Sequence, residues 1–322
     1  MENPLITVIT PTWNRGKYIQ RVWNGLRKQT YKNIEWIVCD DGSEDETILK
    51  LKEIKKLTKF KMIILHAKKR VGKTRLDNAA INMATGEFIV WNDSDDYFLE
   101  DGIEKLVSTW LKIPDLDKKM YIGITAQCKD IEGKIITNPP IMKSFDTTWN
   151  DLREELKYTG DLVYFTRSSV IKKNLFPEVD FVIPEGVVWT KLGKEKIKVI
   201  QDVVKIVEYK ADNCISFSGK MEYCRGKAYA IPIIKNNLSQ YNNKFIKDIW
   251  QTITYIRYSI HGEIRLKEII NLSEGSILKR NIYLFYFISM ILVIVDQCRN
   301  KVIKTHIEFN KSRRIEIQKI DS

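Results

Sequence analysis

Three aspartates follow a run of apolar residues in the stretch IVWNDSDDYF, residues 89–98. They are Asp93, Asp95 and Asp96, and carboxylates this close together repel one another unless something compensates their charge. At the end of a strand, Asp93 and Asp95 would share a face, because side chains alternate along a strand. Two such oxygen ligands suit Mg²⁺ or Mn²⁺, which complete their shells with phosphate oxygens and water. The structural alternative is a solvated acidic turn that caps the helix expected near Leu99.

A second pair of carboxylates, Asp40 and Asp41, ends another apolar run in the stretch IEWIVCDDGS. A carboxylate there could accept a hydrogen bond from a nucleobase N–H or a ribose hydroxyl, and an Asp-Gly turn is the structural alternative. Upstream, in TPTWN (residues 10–14), Pro11 fixes the loop and Trp13 offers a flat apolar face. That face suits a nucleobase and a protein core equally well.

A basic segment, KKRVGKTR at residues 68–75, precedes a helical pattern. Lys and Arg near the start of a helix can bind a diphosphate, and a solvated basic loop is the alternative interpretation. Each of these motifs is weak alone. Their order and spacing together favour a nucleotide site.

The motifs lie between alternating strand and helix patterns. Short apolar runs alternate with helical spacing four times within the first 100 residues, which predicts βαβ units and a parallel sheet flanked by helices. Ligands of such sheets bind at the carboxyl ends of the strands. We therefore expect TPTWN, the Asp40–Asp41 pair and the three later aspartates on one edge.

The motif order TPTWNR, then IEWIVCDDGSEDET, then VGKTRLDNAAINMATGEFIVWNDSDD resembles the nucleotide-binding half of the family 2 glycosyltransferases. The resemblance is specific over about residues 4–110, looser to about 215 and absent beyond. It implies the GT-A fold, a Rossmann-like mixed sheet flanked by helices, and transfer of a sugar with inversion. The implied donor is a nucleotide-sugar, expected to be a UDP-hexose or UDP-N-acetylhexosamine. The implied acceptor is a saccharide or lipid-linked saccharide of a bacterial surface polysaccharide.

The resemblance also assigns roles by position. Asp95 would be the main ligand of Mn²⁺ or Mg²⁺, with Asp93 beside it toward the ribose, while Asp96 would be a turn residue or a support for the ligands. Asp41 would contact the base, and Lys73 would face the donor. The strand end that would cradle the base consists of Pro11, Thr12, Trp13 and Asn14.

The catalytic base implied by the resemblance is Glu185, in the stretch DFVIPEGVVW. Many family members have an acidic pair about 90 to 100 residues after the DxD motif, and this chain has none at that distance. A branch of the family has a single Glu in a Pro-Glu-Gly-x-x-Trp setting. Asp180 is the second candidate and Glu178 the third. The structural alternative is that Glu185 only caps a helix starting near Gly186.

The sequence predicts two parts, residues 1–215 and 216–322. In the first, residues 1–110 would bind the nucleotide-sugar and residues 111–215 would carry the acceptor and catalytic functions. The second is expected to be mostly helical and basic: residues 233–322 have 15 Lys/Arg against 8 Asp/Glu, in a chain of net charge +12. Its apolar run at Ile282–Val295 is shorter than the roughly 20 residues of a membrane span. The run predicts a membrane-surface element, a core helix or an oligomer contact.

Location and partners follow from what the sequence lacks. Its five cysteines form no CxxC pair and its three histidines have no ligand-like spacing, which argues against structural zinc and favours reduced cytosolic thiols. The N-terminus does not resemble a signal peptide. We therefore expect a cytoplasmic protein, peripheral at the inner face of the plasma membrane. No nucleic-acid partner is expected, since no binding motif is recognisable.

Two alternative functions come from other classes. A nucleotidyltransferase also combines an α/β nucleotide site with acidic metal ligands, although the chain has no Gly-rich phosphate loop near its N-terminus. A catalytically silent binding protein of the same fold, held at a membrane, is the other.

Overall fold

The computed structural model describes residues 3–208, 222–241, 245–272, 282–298 and 317–320. Parts of the predicted C-terminal region, at 216–221, 242–244, 273–281 and 299–316, lie outside the described residues. The chain divides into two compact units. The first contains the described residues of 1–178, 193–213 and 310–322, and the second those of 179–192 and 214–309.

Four parallel strands form the N-terminal half of the sheet, in the spatial order β3-β2-β1-β4. They are β1 (Ile6–Thr12), β2 (Ile34–Asp40), β3 (Lys61–Ala67) and β4 (Phe88–Trp91). The helices that connect them are α1 (Ile19–Arg27), α2 (Thr47–Leu57) and α3 (Lys73–Met83). The predicted alternation of strands and helices is confirmed.

The remaining strands make the sheet mixed, as the GT-A resemblance implied. They are β5 (Tyr97–Phe98), β6 (Tyr121–Asp130), β7 (Phe145–Thr148), β8 (Leu162–Arg167), β9 (Lys196–Val207) and β10 (Ile317–Ile320). The helices in this part are α4 (Gly102–Leu111), α5 (Asp115–Lys118), α6 (Trp149–Glu154) and α7 (Ser168–Ile171). The described strands run in the order β10-β3-β2-β1-β4-β8-β6-β9-β5, with β7 beside β9. Strand β10 lies antiparallel to β3 and covers its edge.

Register and packing bring the polar strand ends together. In the parallel pairs Thr12 lies opposite Asp40 and Ile9 opposite Trp91, so β1, β2 and β4 end at the same edge. Alternate strand residues pack with α1, α2 and α4 in one apolar core, while α3 packs against β1 and β2. Burial of these side chains fixes the register, because a one-residue slip would expose the whole set.

The sheet also buries the carboxylate of Glu35 on β2, which is fully inaccessible. Its oxygens accept hydrogen bonds from Lys61 Nζ at 2.6 Å and the Thr7 hydroxyl at 2.6 Å. The backbone N–H of Thr85 donates to it at 2.6 Å and that of Gly86 at 3.1 Å. Burial raises the pKa of Glu35, but these donors outweigh it and lower the pKa to about 2. Through these hydrogen bonds Glu35 holds the backbone of Thr85 and Gly86, just before β4, in place.

The second unit is helical in its described part, as predicted. Its helices are α8 (Gly186–Leu192), α9 (Glu222–Asn237), α10 (Phe245–His261), α11 (Leu266–Leu272) and α12 (Ile282–Cys298). Helix α12 packs against α10, and buried Asp296 accepts hydrogen bonds from Arg257 Nε at 2.5 Å and pairs with His261 Nε2 at 2.9 Å. None of the described helices combines the length and apolar composition that crossing a bilayer requires.

We predict that Glu35→Gln destabilises the first unit by about 2 kcal/mol at pH 7, since the amide cannot accept from all of these donors. Because the pKa of Glu35 is lowered in the folded state, its carboxylate contributes fully to stability above pH 4.5, its ordinary pKa. This contribution is lost as the pH falls toward 2. The difference between variant and wild type in urea unfolding should therefore shrink from about pH 5 to about pH 3. The exposed control Glu53→Gln should change neither the stability at pH 7 nor its dependence on pH. An effect of Glu35→Gln that does not vary with pH would contradict the assignment.

Candidate functional site

The acidic stretch after β4 is a turn and not a strand end. Asn92 donates from Nδ2 to the carbonyl oxygens of Asp93 at 3.2 Å and Asp96 at 3.1 Å, and Asp96 N–H donates to Asp93 O at 3.0 Å. The expectation that Asp93 and Asp95 alternate along a strand was therefore wrong. The turn leaves Asp93 exposed and buries most of Asp95.

A lysine that is distant in the sequence compensates the charge of Asp96, the third aspartate of this turn. Lys205 Nζ lies 2.9 Å from Asp96 Oδ2, and both side chains are nearly inaccessible. Asp96 Oδ1 also accepts from the backbone N–H of Glu208 at 3.1 Å. Burial raises the pKa of Asp96, and the attraction of Lys205 opposes this. Asp96, expected to be a turn residue, also ties this turn to β9.

Arg15 is the second cation at the acidic turn. Its Nη2 lies 3.7 Å from Asp95 Oδ2, and only 9% of its side chain is accessible. Burial, followed by repulsion from Asp93, raises the pKa of Asp95, and the attraction of Arg15 opposes this. The charged form of Asp95 is thus disfavoured in this turn, and a further cation would stabilise it.

Asp93 and Asp95 together fit a divalent cation such as Mn²⁺ or Mg²⁺. Both are hard oxygen donors on one turn, and repulsion from Asp93 adds to burial in raising the pKa of Asp95. Among the described residues, no three His, Cys, Asp or Glu side chains converge into a metal site. Two protein carboxylates would leave the other positions to water and phosphate oxygens, which is how Mg²⁺ usually binds with a nucleotide.

The expected base-binding loop lies beside this turn, at the end of β1. Pro11 and Thr12 are the last residues of β1, and Thr12 O accepts from Asp41 N–H at 2.9 Å. Asn14 adopts a left-handed conformation with φ of 51°, and its N–H donates to Ser43 Oγ at 2.8 Å. The loops after β1 and β2 therefore hold each other in place.

Asp41 and Trp13 both contact the basic loop that precedes α3. Asp41 Oδ1 accepts from the N–H groups of Val71 at 2.7 Å and Gly72 at 3.0 Å, and Arg70 Nε lies 3.4 Å from Oδ2. Burial raises the pKa of Asp41 in spite of these partners. The Arg70 guanidinium lies 3.9 Å from the centre of the Trp13 ring. The structure thus brings together three of the predicted elements: Trp13, Asp41 and the basic segment.

Asp40 and Lys73 each pair with a neighbouring side chain. Asp40 is fully buried, pairs with His66 Nδ1 at 2.8 Å and accepts from Ser43 N–H at 2.9 Å, so it closes the turn after β2. Lys73 Nζ lies 2.8 Å from Asp77 Oδ2, one turn further along α3. The Asp77 carboxylate also accepts from Trp91 Nε1 at 3.2 Å. Lys73 is therefore paired within its own helix.

The candidate bases fall in both units. Glu185, in the second unit, is exposed and immediately precedes α8, as expected for a helix starting near Gly186. Its carboxylate accepts from Trp189 Nε1 at 3.3 Å. Asp180 is exposed in the same unit. Glu178 belongs to the first unit, where Asn78 Nδ2 donates to it at 3.2 Å.

Arg15 and Lys205 had no predicted role, and Arg70 was predicted only as one cation of the basic segment. Arg15 directly follows Asn14 in TPTWNR, and Arg70 lies within the basic segment. Examining each Lys and Arg close to these motifs in the sequence would therefore have identified both. Lys205 is more than 100 residues from Asp96 and lies in a strand, and no local pattern connects the two.

The mixed sheet with its flanking helices is of the GT-A type, and the family is shown directly. Residues 7–175 match Glycosyl transferase family 2. This is more than half of the chain, and the protein belongs to that family.

Two bacterial enzymes illustrate its relatives. Glycosyltransferase GlyG of Streptococcus pneumoniae is 30% identical over 189 residues, which are 55% of this chain; the chain spans 60% of the length of GlyG. The GalNAc(5)-diNAcBac-PP-undecaprenol beta-1,3-glucosyltransferase of Campylobacter jejuni is 23% identical over 76% of this chain and 78% of its own.

Solved structures confirm the fold. S. aureus TarS 1–349 in complex with UDP-GlcNAc superposes with a TM-score of 0.60 at 16% identity, covering 97% of this chain and 98% of that one. The mannosyltransferase PcManGT of Pyrobaculum calidifontis, in complex with GDP-Man and Mn²⁺, has a TM-score of 0.54 at 18% identity, covering 94% and 89%. At these identities the likeness shows a shared GT-A fold.

Proposed function

We propose that the protein is an inverting glycosyltransferase that transfers a hexose or N-acetylhexosamine from a UDP-sugar to a saccharide or lipid-linked saccharide of a surface polysaccharide. The observation that carries this proposal is the acidic turn with Asp93 and Asp95, at the same sheet edge as Trp13 and Asp41. The names of two relatives support the substrate class. One is the C. jejuni enzyme above, and the other is the Escherichia coli UDP-Glc:alpha-D-GlcNAc-diphosphoundecaprenol beta-1,3-glucosyltransferase WfgD, 34% identical over 35% of this chain and 43% of its own.

The donor would lie along the carboxyl edge of β1, β2 and β4. The strand end from Pro11 to Asn14 would hold the base, Asp41 would accept from a base N–H, and Asp93 would lie toward the ribose. Asp95 and Asp93 would hold Mn²⁺ or Mg²⁺, which supplies Lewis-acid stabilisation of the diphosphate charge when bound. Lys73 and the basic loop would add positive charge on the donor side.

Inversion requires one carboxylate that accepts the acceptor's proton as its hydroxyl attacks the anomeric carbon. We assign this role to Glu185, whose exposed carboxylate is held by the Trp189 indole N–H. Asp180 is the second candidate and Glu178 the third.

The two alternative functions have less support. Membership of Glycosyl transferase family 2 disfavours a nucleotidyltransferase. A catalytically silent protein of the same fold would bind a donor without turning it over, so turnover by the wild type separates it from an enzyme.

We further propose that α12 lies on the inner face of the plasma membrane. Its buried side packs through Ser289, Val293 and Asp296. Its other side exposes a stripe of large apolar residues, namely Phe287, Ile288, Met290, Ile291 and Ile294. Basic residues flank the helix in the sequence at Lys279, Arg280, Arg299, Lys301 and Lys304. An apolar stripe between basic flanks suits an anionic bilayer surface, and a homo-oligomer contact is the competing use of that stripe.

For the donor site, we predict that nucleotide release in a screen of sugar nucleotides is highest with UDP-sugars and requires Mn²⁺ or Mg²⁺. Asp95→Asn should lower the rate by about a hundredfold or more, because the metal loses its main ligand. Asp115→Asn, which changes an exposed carboxylate of α5, is the matched control and should keep wild-type rates. Full activity of Asp95→Asn would remove Asp95 from the metal site.

For the catalytic base, we predict that Glu185→Gln binds UDP with wild-type affinity by calorimetry but loses transfer by about 10²- to 10⁴-fold. Asp180→Asn and Glu178→Gln should both retain activity. A loss confined to Asp180→Asn would instead move the base to that residue.

For α12, we predict that Phe287→Glu/Ile291→Glu abolishes co-sedimentation with vesicles containing phosphatidylglycerol, since charge on that face opposes insertion. Leu116→Glu, at a site 85% exposed on α5, should sediment like the wild type. If the α12 variant changes the molar mass in light scattering and leaves vesicle binding intact, the stripe is an oligomer contact.

A further inference from the structure

The two cations at the acidic turn bind their aspartates in different ways. Lys205 Nζ lies 2.9 Å from Asp96 Oδ2, a hydrogen-bonded ion pair in which both side chains are at least nine-tenths buried. Arg15 Nη2 lies 3.7 Å from Asp95 Oδ2, which exceeds the length of an N–H···O hydrogen bond. Lys205 is thus hydrogen-bonded to Asp96, whereas the Arg15–Asp95 ion pair is longer and so costs less to separate.

The backbone of Arg15 is fixed while its side chain reaches the acidic turn. Arg15 N–H donates to Thr47 Oγ1 at 2.8 Å, and its carbonyl accepts from Tyr18 at 2.9 Å and Ile19 at 3.0 Å, where α1 begins. The loop after β1 therefore aims a guanidinium at the metal-binding aspartate from the side expected to hold the nucleotide.

We propose that Arg15 binds the diphosphate of the donor and releases Asp95 to the divalent cation. This inference rests on the proposed function, because it needs a nucleotide diphosphate at this edge. A guanidinium presents a planar fork of N–H donors that matches two phosphate oxygens. The exchange keeps the charges balanced, since Asp95 gains the metal as Arg15 gains the phosphates.

Arg15 would act on the leaving group. When the bond between the anomeric carbon and the diphosphate oxygen breaks, its electron pair stays on that oxygen, while the acceptor oxygen bonds to the carbon and its proton passes to the general base. Negative charge on the diphosphate increases in this step, and a guanidinium already in place stabilises it without reorganisation.

The inference predicts opposite effects of one substitution on two ligands. In Arg15→Met, Asp95 has lost a competing cation, so Mn²⁺ alone should bind about three- to tenfold more tightly. UDP in the presence of Mn²⁺ should bind about ten- to a hundredfold more weakly, because charge-assisted hydrogen bonds to the diphosphate are lost. A misfolded site would weaken both.

The experiment is a Mn²⁺ titration followed by electron paramagnetic resonance, together with calorimetric titration of UDP in excess Mn²⁺. The proteins are the wild type, Arg15→Met, Arg15→Lys and Arg21→Met. Arg21 lies on α1 and pairs with Glu208 at 3.5 Å, so its variant removes the same charge without touching Asp95. Arg15→Lys should recover part of the UDP affinity, and Arg21→Met should match the wild type in both titrations.

The outcomes separate this inference from the proposed function. Unchanged UDP affinity in Arg15→Met, or equal weakening of both ligands, overturns the role of Arg15 while the donor site stands. An equal effect in Arg21→Met also overturns it, since general charge would then explain the result. If wild-type protein binds Mn²⁺ but not UDP, the proposed function fails first.

Discussion

Compensation of like charge at one sheet edge is the constraint on which the rest of the structure depends. Asp93, Asp95 and Asp96 occupy a single turn, and Asp96 is buried. Its partner Lys205 lies on β9, which pairs with β5 so that Phe98 lies opposite Lys205. An uncompensated carboxylate at this depth would cost about 3–5 kcal/mol. The mixed half of the sheet is therefore needed to form the acidic turn of the parallel half.

The acids at this edge divide into two groups by their partners. Asp40 and Asp96 are buried and paired with His66 and Lys205, and they fix the turns after β2 and β4. Asp93 is exposed, and Asp95 has a raised pKa with Arg15 Nη2 at 3.7 Å from its carboxylate. The first group stabilises the turns of the site, and the second provides the carboxylates proposed to bind the metal. Pairing of the buried carboxylates explains how a hydrophobic sheet tolerates so many of them.

Sequence patterns predicted the parallel strands, the helices between them and the shared edge, because hydrophobic periodicity and turn residues are local properties. They placed the segments with Trp13, Asp41 and the aspartates at one sheet edge, since strands of one register end there. They could not find Lys205, whose partner Asp96 lies more than 100 residues away, and they misjudged the geometry of Asp93 and Asp95. That geometry depends on the Asn92 side chain closing a turn, which periodicity does not encode. Strand β10, which pairs with the edge of β3, could not be predicted either, because four residues are too few to show a clear hydrophobic alternation.

The central claim is that the acidic turn binds a nucleotide diphosphate through a divalent cation. Calorimetric titration of the protein with UDP, with Mn²⁺ and after its removal by a chelator, tests this most directly. The account predicts binding that depends on Mn²⁺ in the wild type and is lost in Asp95→Asn, while Asp115→Asn binds normally. UDP binding that is equal with and without Mn²⁺ and unchanged in Asp95→Asn would contradict it.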